Sequence, residues 1–238
     1  MSPSTVQPSP WVLATEPTSL GDPTSLITLV DGLTFCLSGR SGDFNNNPTH
    51  GVFFADMRVL SQARLLVGGA PVESLAVTLA DASNATFVGR SQPSSPSEPR
   101  LLVVRRRSLG SVWQEEIELR NTGGVAMSAA IEMQVAADFA DVFAVKEGRT
   151  GVEGAHSVEA DGQSLLFGWR LGDVHRTTKL TTAGVEAEVS PKGFVWTVHL
   201  DRHEVCIVHF DLTVALGGRW IERNDHHPSL PNAAARNR

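Results

Sequence analysis

The sequence predicts an all-β protein, built as a large antiparallel two-sheet β-sandwich with few or no helices. Its dominant pattern is an alternation of apolar and polar residues, strongest in residues 125–135, and this period of two is typical of half-buried strands. No stretch of about twelve or more residues carries an apolar helical stripe flanked by caps. About fourteen short strands, separated by Gly, Pro and Asn, favour two antiparallel sheets packed face to face.

Three hairpins are predicted where two alternating segments flank a short polar or glycine-rich turn. Glycine suits such turns because it tolerates positive φ. The paired segments are 113–120 with 125–135, 64–67 with the segment that begins at Val72, and 194–200 with 205–214.

The composition is that of a globular chain with enough apolar mass for a sizeable core. Of 238 residues, 41% are hydrophobic and 19% are charged, and no apolar run is long enough to span a membrane. A net charge of -6 argues against nucleic-acid binding, which needs clustered cations. We predict a flexible N-terminal tail, one β-sandwich domain and a C-terminal tail: residues 1–23, 24–222 and 223–238.

The start of the chain does not have the pattern of a secretory signal. The first basic residue is Arg40, and residues 1–23 are rich in Pro, Ser and Thr. We therefore expect a cytoplasmic protein. In a reducing compartment Cys36 and Cys206, each inside an apolar run, are expected to be buried free thiols.

The sequence predicts neither a metal site nor a cofactor. It contains no glycine-rich phosphate loop and no serine-hydrolase elbow. Residues 43–47 begin like a calcium loop, but Pro48 stands where the turn glycine belongs. His199, His203 and His209 lie around one predicted hairpin, yet no Cys or carboxylate completes a ligand set at suitable spacing.

Five tryptophans raise the question of sugar stacking, because the faces of pyranose rings pack on indole. Trp113 and Trp196 follow the apolar face of their strands, so we expect both in the core. For Trp169 and Trp220 the pattern leaves the environment open. They therefore remain candidate sugar-stacking residues.

Asp56 and Arg58 form the first notable arrangement of charges. The two residues are two positions apart, so an extended segment 53–60 would place them on one face of a strand. There they can form an ion pair at the end of the strand.

Asp138 and Asp141 form the second arrangement, directly after a strongly predicted strand. Paired acids can act as the acid and the base or nucleophile of a glycosidase when they straddle a scissile bond. Alternatively, they cap a short helical turn and pair with Lys146 or Arg149. The structural alternative is favoured, because such pairs also occur in purely structural networks.

Two ordered motifs resemble a known family. The first comprises Val-Asp-Gly-Leu-Thr-Phe at 30–35, Gly-Asp at 42–43 and Gly-Val-Phe-Phe-Ala-Asp-Met-Arg-Val-Leu-Ser at 51–61. The second is Asp-Phe-Ala-Asp-Val-Phe-Ala-Val-Lys at 138–146. Their order and spacing resemble the N-terminal domain of bacterial glycogen-debranching-enzyme-like proteins, the amylo-alpha-1,6-glucosidase group, over roughly residues 26–215.

The resemblance implies a β-sandwich that precedes an (α/α) barrel, and in the family this barrel carries the catalytic carboxylates. Because the present chain reaches Arg238 without a helical repeat, we assign no catalytic residue and expect no activity of the chain by itself. The leading interpretation is a non-catalytic accessory domain of glycogen metabolism that docks to a glycosidase barrel domain or subunit, contacts α-glucan, or both. The residues expected to act in structure or at an interface are Asp56, Arg58, Asp138, Asp141 and Lys146.

Two other interpretations stay open. One is a free-standing carbohydrate-binding module that stacks glucose units on Trp169 or Trp220. The other is a glycoside hydrolase that acts through Asp138 and Asp141.

Overall fold

Antiparallel strands make up nearly all of the regular structure. The computed structural model describes residues 26–44, 48–92, 101–110, 112–149 and 153–221. Within these residues, eighteen strands form three antiparallel sheets, and one five-residue helix, α1 (Val142–Lys146), follows the eleventh strand. The predicted fold class is confirmed, while the predicted tails at 1–23 and 223–238 lie outside the described residues. Among the described helices, none is both long and apolar enough to cross a bilayer.

The three sheets differ in size and in pairing order. The four-stranded sheet contains, in pairing order, β1 (Ile27–Asp31), β2 (Thr34–Ser38), β3 (Gly51–Phe54) and β4 (Met57–Leu60). The five-stranded sheet contains β15 (Glu188–Ser190), β16 (Gly193–Leu200), β11 (Met127–Ala136), β5 (Gln62–Val67) and β6 (Ala70–Pro71). The nine-stranded sheet contains β12 (Ala155–Asp161), β13 (Ser164–Leu171), β14 (Val174–Ala183), β17 (Val205–Leu216), β10 (Trp113–Asn121), β9 (Leu101–Leu109), β8 (Asn84–Arg90) and β7 (Glu73–Leu79), with β18 (Arg219–Trp220) paired to β17.

The nine-stranded sheet forms one layer of the sandwich, and the two smaller sheets form the other. Phe194 of β16 meets Phe210 of β17 edge to face, with ring centroids 5.4 Å apart. Thr178 of β14 donates its hydroxyl to the carbonyl of Val59 in β4 at 3.0 Å. One continuous core includes residues of all three sheets. The second layer is thus divided into two hydrogen-bonded sheets, where a single sheet was predicted.

The two tryptophans predicted to lie in the core are buried. Trp113 is 1% exposed and Trp196 is 3% exposed. Trp113 packs near Phe44 and Trp196 near Phe210, with ring centroids 6.5 Å and 6.0 Å apart. These aromatic contacts link the two layers, because in each pair the rings come from opposite sides of the core.

Two of the three predicted hairpins are wrong, because their turns carry the chain between layers. β10 pairs with β9 and β17, whereas β11 pairs with β5 and β16. The turn at 121–124 therefore leads out of the nine-stranded sheet, and the turn at 201–204 leads back into it. The third hairpin forms across Gly68 and Gly69, both at positive φ. Its return strand is Ala70–Pro71, however, and not the segment that begins at Val72.

Asn121 holds these two crossovers together at one corner of the sandwich. Its side chain is fully buried, and its Nδ2 donates to the carbonyls of Val125 (2.8 Å), Leu200 (3.3 Å) and Asp201 (3.0 Å). Its backbone N–H donates to the carbonyl of Glu204 at 3.0 Å. One residue therefore satisfies backbone carbonyls of both chain reversals, which need partners once they are shielded from water.

The basic run at 105–107 has a structural explanation in the period of two. Arg105 and Arg107 are each 1% exposed, so both side chains point into the core. Arg106 points outward between them, and its guanidinium pairs with Glu116 and Glu118 at 2.7 Å and 2.9 Å.

Four buried charges, those of Asp43, Arg105, Arg107 and Glu115, form a network between the layers. Glu115 of β10 accepts from Nε of Arg107 at 2.7 Å and pairs through its other oxygen with Arg105. Arg105 also pairs with Asp43, whose Oδ1 accepts the backbone N–H of Leu65 in β5 at 3.1 Å. Burial alone would lower the pKa of Arg105, but Glu115 and Asp43 more than offset this and raise it. The guanidinium therefore stays charged inside the core.

Arg107 extends the network to the four-stranded sheet. Its Nη2 donates to the carbonyl of Gly42 at 2.6 Å, and its Nη1 lies 3.6 Å from the sulfur of Cys36 in β2. Burial raises the pKa of the Cys36 thiol to about 11, so this free cysteine stays protonated at neutral pH. Aromatic rings surround the guanidinium at centroid distances of 4.7, 5.0 and 5.5 Å: those of Phe44, Phe87 and Trp113.

We expect Glu115→Gln to lower the free energy of unfolding by about 3–5 kcal/mol, because it leaves two buried guanidiniums with a single carboxylate partner. Urea denaturation measures this loss. The matched control is Glu73→Gln, which breaks the exposed Arg90–Glu73 pair of the same sheet (2.7 Å) and should cost much less, because solvent screens an exposed ion pair. Equal losses in the two variants would contradict a special role for the buried network.

Candidate functional site

The first motif folds into a tight hairpin at one end of the sandwich. β3 and β4 are joined by Ala55 and Asp56, whose φ angles of 46° and 62° are both left-handed. Two left-handed residues are typical of a type I′ turn, whose twist matches that of the flanking strands. The predicted extended segment 53–60 is therefore wrong, because Asp56 lies in the turn and Arg58 lies on β4 beyond it.

The second motif lies directly against this hairpin. The backbone N–H of Arg58 donates to the carbonyl of Ala140 at 2.8 Å. The backbone N–H of Val142 donates to the carbonyl of Asp56 at 2.9 Å. Two segments that are far apart in the sequence therefore form one local unit, which includes the candidate residues of both motifs.

Arg58 links the two motifs, and all three of its guanidinium nitrogens form hydrogen bonds. Nε donates to Oδ1 of Asp138 at 3.0 Å, and Nη2 pairs with Oδ2 of the same carboxylate. Nη1 donates to the carbonyls of Pro48 and His50. The side chains of Arg58 and Asp138 are 11% and 35% exposed, so this two-point ion pair is partly shielded from water. Arg58 thus pairs with Asp138 and not, as predicted, with Asp56.

Gly51 makes room for the Arg58 side chain. Its φ is +144°, and a Cβ at this position would lie 2.6 Å from the carbonyl oxygen of Leu60 and 2.7 Å from Cδ of Arg58. A larger residue would have to displace the arginine or the neighbouring strand. Close packing therefore requires the glycine that opens the last segment of the first motif.

Asp141 begins α1 as its N-cap. Its Oδ1 accepts the backbone N–H groups of Phe143 at 2.9 Å and Ala144 at 2.8 Å. A carboxylate at this position satisfies amides that have no partner within the helix. The predicted capping of a short helical turn is confirmed for this acid.

The predicted pairing of the two acids with Lys146 or Arg149 is wrong. Asp138 pairs with Arg58, and Arg149 pairs with Glu147 at 2.7 Å. Lys146 is exposed at the last position of α1. Asp138 and Asp141 both act as hydrogen-bond acceptors within the fold, and this arrangement favours a structural role for them over a catalytic one.

The two candidate stacking residues, Trp169 and Trp220, lie on opposite faces of the nine-stranded sheet. Trp169 is half-buried on the core face, and its indole N–H donates to the carbonyl of Glu153 at 3.0 Å. Trp220 is 48% exposed and lies opposite Ala215 on the outer face. The fold therefore does not bring the two indoles together, and Trp220 is the more accessible one.

The three histidines considered as metal ligands do not converge. Nδ1 of His199 hydrogen-bonds to Oγ of Ser128 at 2.7 Å, and Nδ1 of His209 lies 4.0 Å from Glu116. His203 lies in the crossover turn with a φ of 64°. In the part of the chain that the structure describes, no group of three or more His, Cys, Asp or Glu side chains is placed to hold a metal ion.

His50 belongs to the site but was missed at the level of sequence. It is 8% exposed and its carbonyl accepts from Arg58. Its Nδ1 has no hydrogen-bond partner within the described residues. Burial lowers the pKa of this imidazole below its ordinary value. The sequence contains no signal for it, because a single histidine in a loop belongs to no motif and has no second ligand at a recognisable spacing.

We expect His50 to make folding stability depend on pH. Because burial lowers the pKa of this imidazole in the folded chain, the unfolded chain binds a proton more readily, and stability falls as the pH drops below about 6.5. For one group the slope is at most about 1.4 kcal/mol per pH unit. Urea denaturation at about pH 7 and about pH 5.5 should show a smaller loss for His50→Gln than for the wild type. Identical losses would assign the acid sensitivity to other groups.

Comparison with known proteins identifies the family. A family model described as the N-terminal domain of (some) glycogen debranching enzymes matches residues 29–211, a range that contains both motifs. A solved structure of a kojibiose phosphorylase-like protein from the human microbiome has a similar fold, with a TM-score of 0.54 and 8% sequence identity. The match covers 81% of the present chain and 30% of that chain, and at this identity the likeness concerns the fold alone. No curated protein matches. On the family match over most of its length, the chain belongs to the N-terminal domains of glycogen debranching enzymes.

Proposed function

We propose that this chain is a non-catalytic accessory domain that docks to the glycosidase domain of a debranching-type enzyme, an (α/α) barrel in the same chain or in a partner subunit. The observation that carries the proposal is the use of both candidate acids inside the fold. Asp138 binds Arg58 and Asp141 caps α1. A cytoplasmic location is part of the same proposal. The hydrolase interpretation loses support, because neither carboxylate is free of such a structural bond.

Exposed charges at the same end of the sandwich support a docking role. Asp56 is exposed in the β3–β4 turn, and Lys146 is exposed at the end of α1. The hairpin and the helix that present them are fixed to each other by Arg58 and by backbone hydrogen bonds. A rigid surface with a charged rim is suited to binding another domain, because little conformational entropy is lost on association.

We expect the chain to bind a purified (α/α)-barrel glycosidase domain encoded in the same genome, with a Kd of about 1 µM or tighter. Isothermal titration calorimetry measures the affinity. The chain alone should release no reducing sugar from glycogen between about pH 5 and about pH 8.

Two outcomes would contradict the proposal. Absence of binding at protein concentrations well above the expected Kd would remove the docking role. Sugar release by the chain alone, if abolished in Asp138→Asn and Asp141→Asn variants that thermal unfolding shows to be folded, would establish the hydrolase interpretation in its place.

Contact with α-glucan is a second candidate function, favoured by the surroundings of Trp220. Across the outer face of the nine-stranded sheet, Ala215 beside Trp220 is in register with Thr177, then Gly168, then Ser157. A Cβ on Gly168 would lie 2.4 Å from Oγ of Ser157, so this strip is closely packed and has only small side chains. A half-exposed indole beside hydroxyl groups is suited to pack on a pyranose ring and to bond its edge.

We expect glycogen cast into a native gel to retard the wild-type chain, and Trp220→Ala to remove most of the retardation. Trp169→Ala is the matched control, because its indole is held by Glu153 on the core face. Equal migration of the wild type and an unrelated protein would exclude glucan contact. Retardation that persists in Trp220→Ala would exclude this indole as the stacking residue.

A further inference from the structure

The outer face of the four-stranded sheet carries a row of large side chains. Pairing across the sheet places Val30, Phe35, Phe53 and Arg58 side by side. The rings of Phe35 and Phe53 are stacked, with centroids 4.4 Å apart and an angle of 5° between their planes. Side chains that follow each other across paired strands share one face of a sheet. The row therefore presents apolar groups on the side of the sheet that faces away from the sandwich core.

The second motif covers only one end of this row. Phe53 is 1% exposed, whereas Phe35 is half-buried and Val30, on the edge strand β1, is 48% exposed. The cover thus stops in the middle of the sheet. From the second motif, Ala140, Ala144 and Val145 form a small buried cluster with Phe53, and Phe35 and Leu37 of β2 pack against its edge.

Leu33 and Phe143 continue the uncovered surface around the β3–β4 turn. They are the two most exposed large apolar side chains of the described residues, at 69% and 67%. The backbone N–H of Ala55 donates to the carbonyl of Leu33 at 3.1 Å. The backbone N–H of Val142, which precedes Phe143, donates to the carbonyl of Asp56 at 2.9 Å. Both residues therefore flank the same two-residue turn. We name as the apolar face the set Val30, Leu33, Phe35 and Phe143.

Ile221, the last described residue, lies in the nine-stranded layer and packs against the core. The backbone N–H of Ile221 donates to the carbonyl of Val214, and Val214 is in register with Thr178 on the next strand. Thr178 in turn donates to Val59, the neighbour of Arg58. Two strand spacings, roughly 10 Å, thus separate Ile221 from Thr178 within the nine-stranded sheet, and the step from Thr178 to β4 crosses the core to the other layer.

We propose that the apolar face is the surface on which the glycosidase domain docks. This inference rests on the proposed function and gives it a location. The matched family consists of N-terminal domains, and the chain spans 30% of the kojibiose phosphorylase-like structure, so these proteins contain further chain that can occupy the face. Aromatic and aliphatic groups in the centre, with Asp56 and Lys146 at the rim, have the composition of a protein interface. The partner surface is an apolar stripe of a barrel helix.

The test is titration of the same purified barrel domain into four variants. Leu33→Asp and Phe143→Asp should each weaken binding at least about tenfold, because they place a charge in the centre of the contact. Val125→Asp is the matched control, since Val125 is 63% exposed and precedes β11, at the end of that strand opposite to the second motif, and it should bind within about twofold of the wild type. Leu33→Ala introduces no charge, so its Kd should lie between that of Leu33→Asp and that of the wild type. Thermal unfolding of each variant confirms that it is folded.

The outcomes separate this inference from the proposed function. If the wild type does not bind the barrel, the proposed function and the docking face fail together. If the wild type binds and Leu33→Asp and Phe143→Asp bind equally well, the apolar face is wrong while the docking function stands. If the chain alone sediments as a dimer that Leu33→Asp converts to a monomer, the face belongs to a second copy, which also overturns the inference.

Discussion

The buried network of Asp43, Arg105, Arg107 and Glu115 is the interaction on which this sandwich depends. It connects the nine-stranded sheet, through Arg105 and Arg107, to the five-stranded sheet at Leu65 and to the four-stranded sheet at Cys36. Two cations and two anions leave no net charge in the core, but each charge is compensated only if all others are in place. Hydrophobic contacts survive small shifts of one layer against the other. The paired charges do not, because their hydrogen bonds require specific distances and directions. The network therefore fixes how the layers are placed relative to each other.

The candidate site follows from that placement. With the four-stranded sheet held against the core on one face, its other face is free to receive the second motif. Arg58 then binds Asp138 and the carbonyl of His50, and α1 is fixed over Phe53. The contacts between the two motifs thus hold the four-stranded sheet and α1 together. They leave part of the outer face of that sheet uncovered. This order suits the proposed accessory role, because a rigid frame loses little conformational entropy when another domain binds to it.

The local pattern of the sequence predicted the strands and the core tryptophans, because alternation depends only on which face of a strand is buried. It could not predict which sheet a strand joins. The turns at 121–124 and 201–204 resemble hairpin turns, and what distinguishes them is the amide of Asn121, which contacts carbonyls 79 and 80 residues away. Arg58 and Asp138 were both candidates, but their pairing also spans 80 residues. The left-handed Ala55–Asp56 turn was missed because it lacks the glycine that usually marks such a turn.

Asn121 has a consequence for the kinetics of folding. Its side chain bonds to the crossover at 201–204, so the corner cannot close until nearly the whole domain is available. The Thr178–Val59 bond, which spans 119 residues, has the same requirement. Contacts between such distant segments must overcome the entropy of closing long loops, and proteins rich in them fold in milliseconds to seconds or slower. During synthesis, β10 and β11 therefore keep unpaired edges until β17 and β16 have been made. In this interval the chain is most prone to pair its strands incorrectly.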